Sequence, residues 1–194
     1  MKTIRQLSLV LLALAAVVPA TAQAQRRGYY PPPPSYYQPA PQNALRLEVG
    51  GASLDGSTCD PYYGCGYTDR WSAFMLGGDL DIALGRSGLL NLTVGARELF
   101  SNHYSGYPNV FEPNVGVTFK FLRGMPIEPR LSVGAGFLFD SNGDSGASFR
   151  VGGGVTFFAH APVGLALDLM LDAGRLSGYD LTQVQFSVGP EFHF

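Results

Sequence analysis

From Ala44 to the last residue, apolar and polar side chains alternate with a period of two. "ALRLEVG" sets Leu45, Leu47 and Val49 against Arg46, Glu48 and Gly50, and "GDLDIAL" sets Leu80, Ile82 and Leu84 against Asp79, Asp81 and Ala83. The same rhythm runs through "LNLTVGAR" (90–97), "NVGVTFKF" (114–121), "RLSVGAGFLF" (130–139), "SFRVGGGVTF" (148–157) and "GLALDLMLDAG" (164–174). It closes in "LTQVQFSVGPEFHF" (181–194), where Val184, Phe186, Val188, Pro190, Phe192 and Phe194 form one face. Successive side chains on a strand point to opposite faces, so eight such segments predict eight strands and an all-β fold. The connections alternate too. Residues 85–88, 123–127 and 159–163 read as tight turns, and 53–70, 101–109, 140–146 and 177–180 as longer loops. Short turns at one end and longer loops at the other predict an antiparallel up-and-down barrel.

The phase of the charges gives the barrel its orientation. Arg46, Glu48, Asp79, Asp81, Arg97, Glu112, Lys120, Arg130, Arg150, Asp168, Asp172 and Glu191 all share the phase of the Gly, Ser, Thr and Asn residues. Eight strands enclose barely enough room for side chains, too little for all the Leu, Val and Phe of the other phase. The expected arrangement is therefore inverted, with apolar side chains facing lipid and a charged, paired interior that closes the lumen. Only Glu98 and Arg175 carry charge in the apolar phase, both beside long connections. Trp71, Phe74, Phe100, Phe111, Phe137, Phe139 and Phe149 fall near the long loops, and Phe119, Phe121, Phe157, Phe192 and Phe194 near the turns. Two aromatic girdles at the membrane interfaces follow. Pro190 removes a ladder donor in a barrel without a free edge, which predicts a local bulge.

The residues before Ala44 are of two other kinds. "MKTIRQLSLVLLALAAVVPATAQAQ" carries Lys2 and Arg5, an apolar run from Leu7 to Val18, and Ala22-Gln23-Ala24 at its end. That is the form of an export signal (1–24) cleaved after Ala24, and its apolar run is short of the ~20 residues a membrane helix needs. Residues 25–43, with four consecutive prolines and paired tyrosines, cannot build a core and read as a periplasmic linker. The barrel domain is 44–194. With 13 basic and 15 acidic residues the chain has no basic surplus that would attract nucleic acid. Charged residues are only 14% while glycine reaches 25 of 194, which suits a glycine-rich β protein. The only two cysteines, Cys59 and Cys65 in "CDPYYGC", read in an exported chain as a disulfide, which on the chain-entropy model contributes about 2 kcal/mol.

Residues 44–194 resemble the small eight-stranded outer-membrane barrels of the OmpA/OmpX type. The resemblance implies an integral protein of the bacterial outer membrane, in contact with lipid and lipopolysaccharide, with both termini in the periplasm. It also implies that Phe186, Val188, Phe192 and Phe194 form the signal read by the barrel-assembly machinery. The chain has no peptidoglycan-binding domain after the barrel, so any cell-wall or periplasmic partner would meet residues 25–43. A structural or surface-interaction role is expected, with an extracellular ligand, if any, on 53–70.

Candidate chemistry is sparse. His103 and Ser105 in "NHYSG" resemble the His/Ser pair of lipid A 3-O-deacylases, with Glu112 as the orienting acid, but spacing and strand position match that family poorly. A narrow pore is the third class, and a charged, filled lumen argues against it. "DSNGDSG" (140–146) places Asp140, Asn142 and Asp144 at calcium-loop spacing, yet Ser145 and Val151 stand where Gly and Glu are needed. Asn142-Gly143 is a turn signal in its own right. His160 and His193 have no companions at metal spacing, so no metal or cofactor is expected.

Overall fold

The computed structural model describes residues 43–60, 64–101, 107–123, 125–176 and 179–194, with positions 58–60 and 64–69 described by backbone alone. The described residues form eight strands: β1 (Ala44–Asp60), β2 (Gly64–Ala83), β3 (Leu90–Ser101), β4 (Val110–Lys120), β5 (Ile127–Asp140), β6 (Ser145–Phe157), β7 (Val163–Leu176) and β8 (Tyr179–His193). Each pairs antiparallel with its neighbour in the chain, and β8 pairs with β1 to close the barrel. The signal and linker segments, 1–24 and 25–42, lie outside the described residues.

The outer wall is apolar. Leu47, Phe74, Val94, Val115, Leu131, Val133, Phe137, Phe149, Leu165, Leu169, Leu171 and Phe186 are all exposed. A water-soluble surface does not carry a continuous belt of this kind, whereas a hydrocarbon-facing wall requires one. The belt stops where outward positions turn polar: Arg70 hydrogen-bonds Asp55 at 2.6 Å, and Arg175 lies 3.6 Å from Asp180, all on the outer surface. Glu98 is half-buried near this upper edge.

Segment 53–70 departs from its expectation as a loop. β1 runs on to Asp60 and β2 resumes at Gly64, making strands of 17 and 20 residues paired through Asp60↔Gly64. The alternation never breaks there: Ala52 and Leu54 point inward, while Ser53, Asp55 and Ser57 point outward. Their outward residues are polar because this stretch has passed the apolar belt, and polarity alone made it resemble a loop. The same extension shortens two other connections, to 141–144 and 177–178.

Pro190 makes no bulge. The β1–β8 register stays constant from Arg46↔Glu191 to Val49↔Val188, and only the two pairs between are missing. Gly189 compensates by letting the strands approach, since a Cβ there would lie 1.7 Å from the Leu47 carbonyl oxygen. Pro113 interrupts β4–β5 in the same way, between Phe111↔Phe139 and Asn114↔Gly136.

Candidate functional site

The inward positions of the eight strands meet in one lumen, and its content changes along the barrel axis. At the end holding the chain termini and short turns it is charged. Arg46, Glu48, Asp79, Asp81, Arg97, Glu112, Lys120, Arg130, Arg150, Asp168, Asp172 and Glu191 are each at most 6% exposed. Glu128, which alternation at the start of β5 would have indicated, is buried with them. Among the described residues, five interior bases therefore face eight carboxylates; Arg46, Arg97, Lys120 and Arg130 each meet more than one, and Arg150 meets Asp172.

Nearest the termini, Lys120 Nζ stands 3.1 Å from Asp81 and 3.4 Å from Glu191. Arg130 donates to Asp168 through Nε at 2.9 Å and again through Nη2, while its Nη1 donates to Glu191 at 3.0 Å and to Thr156. His193 places Nε2 at 2.9 Å from Glu191 and Nδ1 at 2.7 Å from the Ala161 carbonyl. One layer up, Arg46 spans Asp79 at 3.4 Å and Asp81 at 3.3 Å. Arg97 donates to Glu48 and to Asp79, both at 2.8 Å. A hydroxyl has one hydrogen, so the chain ending in the Thr93 donation to Asp81 has one direction. Ser132 donates to Thr118 and Thr118 to Thr93, each at 2.7 Å. Glycine makes the room for this layer: a Cβ on Gly95 would lie 1.9 Å from Asp79 Oδ1, and one on Gly154 2.1 Å from Asp168 Oδ1. We expect Gly154→Val to displace Asp168 from Arg130 and cost on the order of 1–3 kcal/mol in a urea titration of the refolded barrel.

The other half of the lumen is not polar, contrary to the expectation of a plug made of charged side chains throughout. Ala52, Leu54, Trp71, Ala73, Met75, Leu99, Val110, Leu138, Leu176 and Leu181 form one buried cluster, with Tyr107 and Tyr179 packed on it. Trp71 belongs here and not to an outer girdle. Its ring stacks on Tyr107 at 4.5 Å with 6° between planes. The cause is phase: Trp71 shares its inward parity with Ala73, Met75, Asp79 and Asp81. The remaining girdle aromatics point outward, and Phe74 and Phe100 approach within 6.3 Å across β2 and β3.

His103 and Ser105 lie outside the described residues. Glu112 accepts from Ser148 at 2.8 Å and from Gln185 at 3.4 Å inside the lumen, so its carboxylate is already engaged there. Cys59 and Cys65 are directly paired in the β1–β2 ladder. Asp140 folds its carboxylate back onto the amides of Asn142 (2.9 Å) and Asp144 (2.8 Å), with Gly143 at φ 102°. Its oxygen thus serves the turn, as an Asx turn requires. Phe186, Val188 and Phe192 stand on the outer face of β8, followed by an exposed Phe194.

A closed, antiparallel, eight-stranded barrel has counterparts among solved structures. The crystal structure of Neisserial surface protein A superposes over 81% of this chain and 100% of its own, with a TM-score of 0.53 and 15% identity. The fold is that of the small outer-membrane β-barrels. The N-terminal β-barrel domain of Pseudomonas aeruginosa OprF covers 78% of this chain and 99% of its own (TM-score 0.48, 15% identity). The outer membrane enzyme PagL likewise covers 78% and 99% (TM-score 0.47, 12% identity). No family model and no curated protein matches the sequence. Likeness at this level of identity concerns the fold, and activity has to be argued from the chain's own residues.

Proposed function

We propose that this barrel is a non-catalytic, integral outer-membrane protein with a structural or surface-interaction role, its termini in the periplasm. The lumen carries the reading: ion pairs fill one half and a hydrophobic cluster the other, which supports neither an open channel nor a solvent-filled reaction cleft. What the molecule offers to partners is its outside. The belt meets lipid and lipopolysaccharide, and the long β1–β2 hairpin (53–70) stands beyond the belt, available to an extracellular ligand. A Cys59–Cys65 disulfide ties the tip of that hairpin. Phe186, Val188, Phe192 and Phe194 serve the barrel-assembly machinery, and 25–43 reaches toward a cell-wall or periplasmic partner.

Outer-membrane fractionation with heat-dependent gel migration is expected to place the protein as a folded membrane barrel. A soluble, heat-insensitive chain would overturn the reading. Deleting 57–67 is expected to leave that migration intact and to reduce binding at the cell surface; undiminished binding would move the contact elsewhere. In planar bilayers we expect no stable conductance. Defined, long-lived steps would make the protein a pore.

A further inference from the structure

His193 turns inward at the end of β8, between the exposed Phe192 and Phe194, and its side chain is only 6% exposed. Its ring joins two groups that both accept. Nε2 lies 2.9 Å from a carboxylate oxygen of Glu191, and Nδ1 lies 2.7 Å from the Ala161 carbonyl in the turn between β6 and β7. A neutral imidazole has one N–H and can serve only one of them. The carbonyl has no hydrogen to give. Glu191 has none either: Lys120 Nζ donates to it at 3.4 Å, Arg130 Nη1 at 3.0 Å and Thr156 Oγ1 at 2.9 Å. A carboxyl facing two cations and a hydroxyl donor is ionised. Both ring nitrogens therefore carry hydrogen, and His193 is an imidazolium.

The charges around the ring agree with that state. Arg46 on β1 stands across the ladder from Glu191. Lys120 on β4 joins Glu191 to Asp81 on β2, and Arg130 on β5 joins it to Asp168 on β7. Glu128 on β5 lies 4.0 Å from Lys120 and 4.0 Å from Arg123 in the turn after β4. Thr156 on β6 and Gly164 on β7 bring no charge, and Gly164 leaves room for the ring, a Cβ there lying 3.3 Å from His193 Cε1. His160, in the same turn as Ala161, is exposed. Eight interior carboxylates outnumber five bases, so a sixth cation lowers a surplus of negative charge.

We propose that His193 is a proton-dependent clamp on the mouth of the barrel: as an imidazolium it ties the end of β8 to the β6–β7 turn, and loss of its proton releases one of the two contacts. Without that proton a bare ring nitrogen faces either the Glu191 carboxylate or the Ala161 carbonyl, acceptor against acceptor, so the ring has to move. What then remains between the turn and this residue is the backbone bond from the His193 amide to the Pro162 carbonyl, at 2.9 Å. The folded barrel binds a proton here that an unfolded chain gives up above about pH 6.5. The clamp therefore contributes fully below that pH and is lost as the pH rises through the range in which the folded barrel releases the proton.

The test uses the mature barrel in detergent, labelled at histidine for heteronuclear NMR, with His193→Gln to assign the signals. Ring-nitrogen shifts distinguish an imidazolium from either neutral tautomer. We expect His193 to be still an imidazolium at about pH 7, where a free histidine is mostly neutral. In parallel, the temperature at which the folded gel band disappears is expected to fall between about pH 6 and about pH 8.5, by about 2–6 °C more in the parent than in His193→Gln. Gln keeps a donor and an acceptor but has no proton to lose. The buried carboxylates, His103 and His160 are common to both proteins, so the difference between the two profiles belongs to His193. A neutral His193 ring at about pH 7 would overturn the proposal, and so would identical pH profiles. If His193→Gln does not fold, His103→Gln and His160→Gln assign the parent spectrum, and the charge state of the ring decides alone.

Discussion

Arg130→Met is expected to be among the most damaging single substitutions in the barrel, lowering the unfolding free energy by about 3–5 kcal/mol. The guanidinium is buried and serves three acceptors on three other strands, Asp168 on β7, Glu191 on β8 and Thr156 on β6. Removing it leaves Glu191 with Lys120, His193 and Thr156 as partners, whereas among the described residues Asp168 keeps only Arg46 at 3.8 Å. Removing one partner of a buried pair costs far more than the pair itself contributes, because the remaining charge stays out of water. The sign of the imbalance sharpens this. With eight interior carboxylates against five bases, loss of a cation enlarges the excess of negative charge and loss of an anion reduces it. Asp168→Asn is therefore expected to cost markedly less than Arg130→Met, and the double variant to recover part of the loss. Urea titrations of the four refolded proteins in lipid bilayers measure all three quantities. Equal costs for the two single substitutions would mean that water reaches the layer and screens it.

Such a network is legible in the sequence only in one dimension. Parity alone assigns Arg97, Arg130 and Asp168 to the interior, because the i, i+2 rhythm of a strand is local. Which carboxylate each base meets depends on register and on the tilt of the strands, and neither is local. Arg97 and Glu48 are 49 residues apart, and Lys120 and Glu191 are 71 apart. The apolar half of the lumen was legible and is easy to miss for a different reason. Leu99 follows Arg97 at inward parity, and Leu138 sits inward between Phe137 and Phe139. Each lies two residues before the end of its strand, where an apolar residue passes for the edge of the lipid belt. Composition misleads most strongly at 53–70. Its glycines, serines and aspartates signal a loop, while the parity of Ala52 and Leu54 signals a strand. Pairing with β2 and β8, available on both edges in a closed barrel, lets parity win.

Closure also fixes what the last residue does. Phe194 donates its amide to the Asn43 carbonyl and accepts from the Asn43 amide, both at 3.1 Å. Asn43 Oδ1 in turn accepts the amide of Ala83, tying β8, β1 and β2 together at this end. The interruption at Pro190 leaves only Ala44↔His193, Leu45↔Phe192 and Arg46↔Glu191 between the gap and that terminal pair. Deleting Phe194 removes two backbone bonds of about 1 kcal/mol each from an already short ladder, so the refolded barrel is expected to lose about 1–2 kcal/mol. Phe194→Ala keeps both bonds and removes only the ring, which is 41% exposed on the outer rim, so its stability in vitro is expected to match the parent within ~0.5 kcal/mol. In cells the two variants are expected to converge, both losing most of the assembled, heat-modifiable protein, on the proposal that the assembly machinery reads the ring. The comparison separates the two roles of one residue. Full assembly of Phe194→Ala in cells would leave Phe194 as a clamp on the seam of the barrel and remove it from the insertion signal.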